Sequence, residues 1–314
     1  MLHFLSLCLP IFAVVAIGYA ATWRRLVSGE MVDAIGLFAF YVALPAMLFR
    51  LMAAQPLAES FQGVYFAGYL AACLAVFVGT IGVAMALGRR RQYAAALGAG
   101  AAMGNVGYLA PPLLLPIIGP RVAGPVAMAI VAEVAIIIAL GSVLMARSAE
   151  PGQGWSTLLA RVGGLARNPV ILSIAGGAVM AGTGLPIPAP ADRFLAFLGG
   201  AAGPTALFAL GGTLARLHVE RNLMALAAAV SLTKIAVYPA LVWLALGPLL
   251  RLDHVWVASG VLLAAMPTAT NAFVLAQSNG TAADEVSAAV LLSTMLAAAA
   301  FPATAWILAL PAGG

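Results

Sequence analysis

Two asparagines stand in stretches where hydrocarbon-facing sequence should hold none. Asn105 lies in Gly104-Asn105-Val106-Gly107-Tyr108, with Pro111 and Pro112 following, and Asn271 closes Met266-Pro267-Thr268-Ala269-Thr270-Asn271. Both sit inside apolar segments about 20 residues long, the length that crosses a bilayer. An amide both donates and accepts hydrogen bonds, and the hydroxyls of Thr268 and Thr270 do the same. Glycine and proline interrupt a helix, leaving backbone N–H and C=O groups that hydrocarbon cannot satisfy. Such a break survives only where it lines a cavity or packs inside protein. Two breaks, one in each half of a chain, are the best sequence pointer to a ligand site near the bilayer midplane. The candidate binding set is therefore Gly104, Asn105, Gly107, Tyr108, Pro267, Thr268, Thr270 and Asn271.

The chemistry of that set favours an anion. A half-helix that begins at a break offers free N–H groups and roughly half a positive charge at its N-terminus. If the two halves of the chain are inverted repeats, both half-helices aim at one region, and the broken segments contain no carboxylate of their own. The plainer alternative is that each asparagine only caps freed backbone groups. Two ionisable residues lie well inside other apolar segments, Glu133 and Lys234. A charge near the bilayer centre costs about 2.5–3.5 kcal/mol on insertion scales, so it is normally paired or functional. Either could exchange a proton, which makes the two candidates for coupling to H+ or Na+. The alternatives are a structural ion pair, or a lysine that binds the carbonyls of a broken helix.

Other polar residues carry less. Glu30 and Asp33 fit the first turn of a helix, where a carboxylate is favoured. His3, His218 and His254 are scattered at segment ends without ligand spacing, so no metal site or cofactor is expected. Trp23, Trp155, Trp256 and Trp306 read as interface residues. Cys8 and Cys73 are expected to be packing thiols. The chain shows no phosphate loop and no nucleophile elbow, so neither an ATP-driven device nor an enzyme is expected.

The elements that must position these residues follow from composition. The 314 residues are 64% hydrophobic and 8% charged, with a mean hydropathy of +1.07. Soluble domains carry about 25% charge, so the expected class is an all-α polytopic membrane protein. Ten spans fit, at 2–22, 32–54, 62–88, 93–117, 122–146, 168–186, 194–215, 222–248, 255–277 and 285–310. The polar stretch 148–167 would link a first five-helix repeat, 1–147, to a second, 168–314. Five spans per half make any repeat inverted. Leu44-Pro45 against Gly203-Pro204, and Ala101-Ala102-Met103-Gly104-Asn105 against Ala264-Ala265-Met266-Pro267, match at an offset near 160 residues. With the N-terminus outside, cytoplasmic loops hold Arg24, Arg25, Arg89, Arg90, Arg91, Arg147, Arg161, Arg167, Arg216 and Arg221. The other side holds Arg50, Arg121, Arg193 and Arg251, so both termini are expected to be non-cytoplasmic. The net charge of +5 is thus a topology signal, and no nucleic-acid partner is expected.

Gly104-Asn105-Val106-Gly107-Tyr108-Leu109-Ala110-Pro111-Pro112 and Ala265-Met266-Pro267-Thr268-Ala269-Thr270-Asn271-Ala272-Phe273 resemble the two signature segments of the auxin efflux carrier family, in its bacterial permease branch. Leu44-Pro45, Gly203-Pro204-Thr205 and Lys234, five residues before Pro239, fall where that family would place them. The chain departs at Ala110, where the family more commonly has glycine. The resemblance covers essentially the whole chain. It implies two inverted five-helix repeats with broken helices four and nine crossing, a fold shared with sodium/proton antiporters and bile-acid symporters. It implies a scaffold of helices one, two, six and seven, through which a homodimer would form, and a transport core of helices three to five and eight to ten. It also implies secondary transport of small organic anions across the inner membrane by elevator-type alternating access. The competing reading is a proton- or cation-coupled antiporter or symporter that uses Glu133 and Lys234.

Overall fold

A computed structural model describes residues 2–56, 61–146, 168–217 and 221–309. The expected linker 148–167, with Trp155, Arg161 and Arg167, lies outside these residues, as do Arg147 and His218. The regular structure among the described residues is helical, apart from one isolated β-bridge between Gly104 and Thr268. Seven helices are long and apolar enough to cross a membrane. They are α1 (Leu2–Trp23), α2 (Gly29–Ala53), α3 (Gly63–Ala86), α6 (Pro120–Met145), α8 (Ala189–Arg216), α9 (Met224–Leu249) and α12 (Ala283–Ala309). Between them run shorter helices: α4 (Arg91–Ala102), α5 (Ala110–Ile118), α7 (Pro169–Thr183), α10 (His254–Ala264) and α11 (Thr270–Ser278).

Local sequence explains the ends. Ser28 caps α2, its hydroxyl accepting the Met31 N–H at 3.2 Å. The Asn168 side chain accepts the N–H groups of Val170 and Ile171 at 2.9 and 3.4 Å, with Pro169 in the first turn of α7. An asparagine cap followed by proline is a strong helix start, because the proline lacks only an N–H that would be orphaned anyway. Gly184 ends α7 with φ of +66°, a conformation that glycine adopts without strain. Outward side chains such as Ile17, Val78, Val179, Phe197, Leu232 and Met295 are exposed, as an apolar solvent allows.

The helices pack in two groups. In one, α8 lies along α1 and α2, and α7 lies along α2. Gly18 and Gly211 bring α1 and α8 into backbone contact. A Cβ at Gly18 would collide with the Phe208 carbonyl, and one at Gly211 with the Val15 carbonyl. Small residues at such crossings permit dispersion contact that lipid would otherwise provide. Two ion pairs fix α2 antiparallel to α8: Arg216 to Asp33 at 2.6 Å, and Arg50 to Asp192 at 2.6 and 3.1 Å. Asp33 and Glu30 do lie in the opening turns of α2, but Asp33 serves a partner on another helix as well as its own N-terminus. In the other group, α4 packs on α3 and α6, α9 on α10 and α12, and α11 on α12.

The two sequence breaks meet. The chain leaves α4 after Ala102 and re-enters helix at Ala110; it leaves α10 after Ala264 and re-enters at Thr270. Asn105 N–H donates to the Pro267 carbonyl at 2.8 Å, and Ala269 N–H donates to the Met103 carbonyl at 2.9 Å. Each interruption thereby satisfies backbone groups that the other exposes, which is how unwound chain is tolerated away from water. The second break is shorter than the motif suggests. Thr270 and Asn271 already belong to the first turn of α11.

Candidate functional site

Glu133 and Lys234 approach this crossing from opposite sides. Glu133 is fully buried and sits on a π-helical turn of α6, Val131–Ile137. Its carboxylate accepts the Gly104 N–H at 2.6 Å, the Tyr69 hydroxyl at 2.6 Å and the Tyr238 hydroxyl at 3.1 Å. Lys234, also fully buried, sits on a π-helical turn of α9, Thr233–Val237. Its ammonium donates to the Ala264 carbonyl at 2.7 Å and lies 4.4 Å from the centre of the Tyr238 ring. A cation at the last residue of α10 is favoured by the negative end of the helix dipole. π-Helical turns mark functional sites often, because one extra residue re-aims a side chain. The two charges flank Gly104: a Cβ there would lie 2.9 Å from Lys234 Nζ and 3.1 Å from Glu133 Oε2. They form no direct ion pair within 4.0 Å; among the described residues such pairs are Arg50–Asp192 and Arg216–Asp33.

Beside the crossing is a small cavity of about 30 Å³. Of the candidate set, Gly104, Asn105, Gly107, Tyr108, Thr270 and Asn271 line it. Phe40 and Leu44 of α2 and Asn168 and Val170 at the start of α7 complete the wall opposite. Pro267 and Thr268 are not in the lining. The Pro267 carbonyl belongs to the bridge, and Thr268 is fully consumed, its N–H donating to the Ser293 hydroxyl at 3.0 Å and its own hydroxyl to the Gly100 carbonyl at 2.9 Å. In contrast, the side-chain amides of Asn105 and Asn271 and the hydroxyls of Thr270 and Tyr108 have no protein partner among the described residues. Asn105 is almost fully buried. Unsatisfied polar groups around one void call for a polar occupant, since a buried amide left without a partner is costly. The void has room for roughly one water molecule, whose share of liquid volume is about 30 Å³.

The two half-helix N-termini contribute unequally. At α5, Pro111 and Pro112 carry no N–H, and the Leu113 N–H is already bonded to the Leu109 carbonyl. Prolines thus remove most of the donors expected there. At α11 no proline intervenes, and Thr270 and Asn271 present both backbone and side-chain donors. The positive character of the site comes chiefly from α11.

The bonding around the crossing repeats itself. Cys73 Sγ points at the carbonyl of Ala102, the last residue of α4, at 3.8 Å; Lys234 does the same at Ala264, the last residue of α10. Glu133 of α6 accepts the Gly104 N–H, and Ser293 of α12 accepts the N–H of Thr268, the bridge partner of Gly104. Each pair of equivalents is separated by about 160 residues, the offset of the motif matches.

Sequence reasoning missed several of these participants. Asn168 carried a signal, an asparagine before proline at the start of an apolar segment. Tyr69, Tyr238 and Ser293 carried none, because a lone tyrosine or serine in a spanning segment has many possible orientations. Cys8 and Cys73 are free and buried, and Trp256 packs on Tyr65, with ring centres 5.0 Å apart.

A family model described as a membrane transport protein matches residues 3–307. The chain is also similar to a Rhizobium meliloti (strain 1021) protein titled "Putative malonate transporter", at 33% identity over 298 residues, 94% of this chain and 92% of that protein. A match of this extent covers both bridged breaks and both buried charges at once, and it settles the kinship that the two asparagine segments suggest: the chain belongs to the membrane transport protein family, that of the auxin efflux carriers.

Proposed function

We propose that this transporter carries a small carboxylate, of the size and charge of malonate, by elevator-type alternating access. The observation that carries the reading is the pair Asn105 and Asn271, whose amides face one void without protein partners. Thr270 and the N-terminus of α11 add donors suited to a carboxylate. The malonate title of the relative agrees with this chemistry. The cavity is smaller than any dicarboxylate, so the reading assigns this conformation to a closed step of the cycle.

In this reading the chain crosses the membrane ten times as two inverted five-helix repeats, with α4–α5 and α10–α11 as the broken fourth and ninth spans. The recurrence of equivalent bonds at a fixed offset supports the repeat. The scaffold consists of α1, α2, α7 and α8 and the moving core of α3–α6 and α9–α12, a division supported by closer packing within each group than between them. A homodimer through the scaffold belongs to the same proposal, as do an inner-membrane location and termini on the non-cytoplasmic side. The test is uptake of labelled malonate into proteoliposomes. Uptake that is saturable, competed by other small carboxylates and lost in N105A and N271A supports the reading, whereas equal competition by an amine of the same size would remove it.

A second reading adds coupling to H+ or Na+ through Glu133 and Lys234. Its support is that both buried charges abut the crossing through Gly104 without neutralising each other directly. E133Q and K234M separate the readings. A uniporter keeps its response to an imposed pH or Na+ gradient unchanged in kind, whereas a coupled carrier loses it.

A further inference from the structure

Thirteen residues line the void beside the crossing, and four of them come from the helix group of α1, α2, α7 and α8: Phe40, Leu44, Asn168 and Val170. Asn168 is the one polar side chain of the four. Its amide has a fixed orientation, because Oδ1 accepts the N–H groups of Val170 and Ile171 at 2.9 and 3.4 Å, which the nitrogen cannot do. That leaves Nδ2, with two hydrogens to donate and no protein partner among the described residues. The two N–H groups bonded to Oδ1 polarise the amide and strengthen Nδ2 as a donor. Behind it stands α7, 15 residues long, whose positive end lies in the wall of the void. A helix terminus alone would say little, but Asn105, only 3% exposed, lines the same void with an amide that is also unpartnered. No carboxylate side chain lines the void to take up these donors.

We infer that Asn168 is a substrate-binding residue, its Nδ2 donating to the transported carboxylate from α7 while Asn105 and Asn271 hold the same ligand from the broken segments. The inference rests on the anion-site reading of the void. A ligand larger than one water has to part the two helix groups, and Asn168 is then the polar side chain that α2 and α7 present to it. The cap bonds hold the amide in place before the ligand arrives, so binding costs little of its side-chain entropy. Asn168 also differs from the other two asparagines in where it is carried. If the core slides against the scaffold, Asn105 and Asn271 travel with the ligand and Asn168 stays behind. Its contact is made and broken in each cycle, whereas theirs persists.

The test separates the two ends of the amide. Serine and aspartate cap helices about as well as asparagine. N168S and N168D therefore keep the start of α7 but delete Nδ2, and N168D sets a carboxylate oxygen in its place. Malonate binding is measured by titration on the purified full chain, beside the unfolding temperature without ligand. Both variants are expected to unfold near the wild-type temperature. N168S should bind malonate about tenfold more weakly, the scale of one hydrogen bond to a charged group, and N168D more weakly still. A role in capping alone would leave both affinities near wild type, so wild-type affinity in N168S overturns the inference. Should N168S prove less stable, the ranking decides: a donor role puts N168D lowest in affinity, and equal affinities of the two variants overturn it. If N105A and N271A lose affinity while N168S keeps it, only this inference falls. If all three keep it, the anion-site reading falls as well.

Discussion

At Asn105 and Asn271 the question is which side-chain bonds are already in use, and there the protein uses neither amide. Each substitution to alanine is expected to weaken carboxylate binding by about 1–3 kcal/mol, the usual loss for a hydrogen bond to a charged group. Isothermal titration with malonate checks this, and unchanged affinity in both variants would return the asparagines to a purely structural role. Thr268 behaves differently although it lies two residues from Thr270. Both its bonding groups are committed to Ser293 and Gly100, so T268V should lower thermal stability before it touches affinity. Gly104 is the most constrained position. G104A would force a methyl group between Lys234 and Glu133, and overpacking of this kind costs about 1–3 kcal/mol. A fall in unfolding temperature together with lost uptake is the expected result, and normal uptake by a stable G104A protein would contradict it.

Broken helices need their freed ends capped, and here the caps come from neighbouring elements. The Lys234 ammonium closes the C-terminal end of α10 at Ala264, and the Glu133 carboxylate takes the Gly104 N–H in the first break. Removing one partner strands the other's buried groups, so K234M should destabilise the protein even if Lys234 has no part in coupling. The stability measurement therefore has to accompany the gradient assay. On the scaffold, α1 and α8 approach as closely as Gly18 and Gly211 permit. G211L is expected to disrupt that contact, with a lower unfolding temperature in detergent, whereas a leucine at the open position Gly79, which faces no neighbour within 4 Å, should be neutral. Equal stability of both variants would deny that contact its importance.

For the whole molecule, the elevator reading requires the two helix groups to slide past each other. Gly203 of α8 and Pro112 of α5 meet across their boundary; a Cβ at Gly203 would lie 3.4 Å from the Pro112 Cβ. Disulfides need Cβ atoms about 3.5–4.5 Å apart, so the pair G203C/P112C is close to the required geometry. Oxidation of that double variant should arrest uptake, and reduction should restore it. Full uptake by the cross-linked protein would rule out sliding at this boundary. The expected topology is tested separately, by labelling a cysteine near each terminus with an impermeant reagent from outside intact cells. Protection of either terminus would reverse the arginine argument.

The sequence by itself determined the class, the two breaks and six of the thirteen residues that line the cavity, because these depend on local properties. Apolar length selects a spanning helix, and glycine, proline and asparagine in mid-span mark where it opens. Kinship, too, was legible in the asparagine segments. What only the tertiary structure decided is which polar groups remain free. Thr268 and Thr270 look alike in sequence, yet one is bonded by Ser293 from α12 and Gly100 from α4, and the other faces the void. Asp33 fits a helix N-terminus locally, but its ion partner Arg216 is 183 residues away. Glu133 and Lys234 could have paired directly; the fold instead gives each its own hydrogen-bond partners, with the Tyr238 side chain touching both and Gly104 lying between them. Such bonds depend on where distant helices place their donors and acceptors, and spacing along one helix carries no record of that.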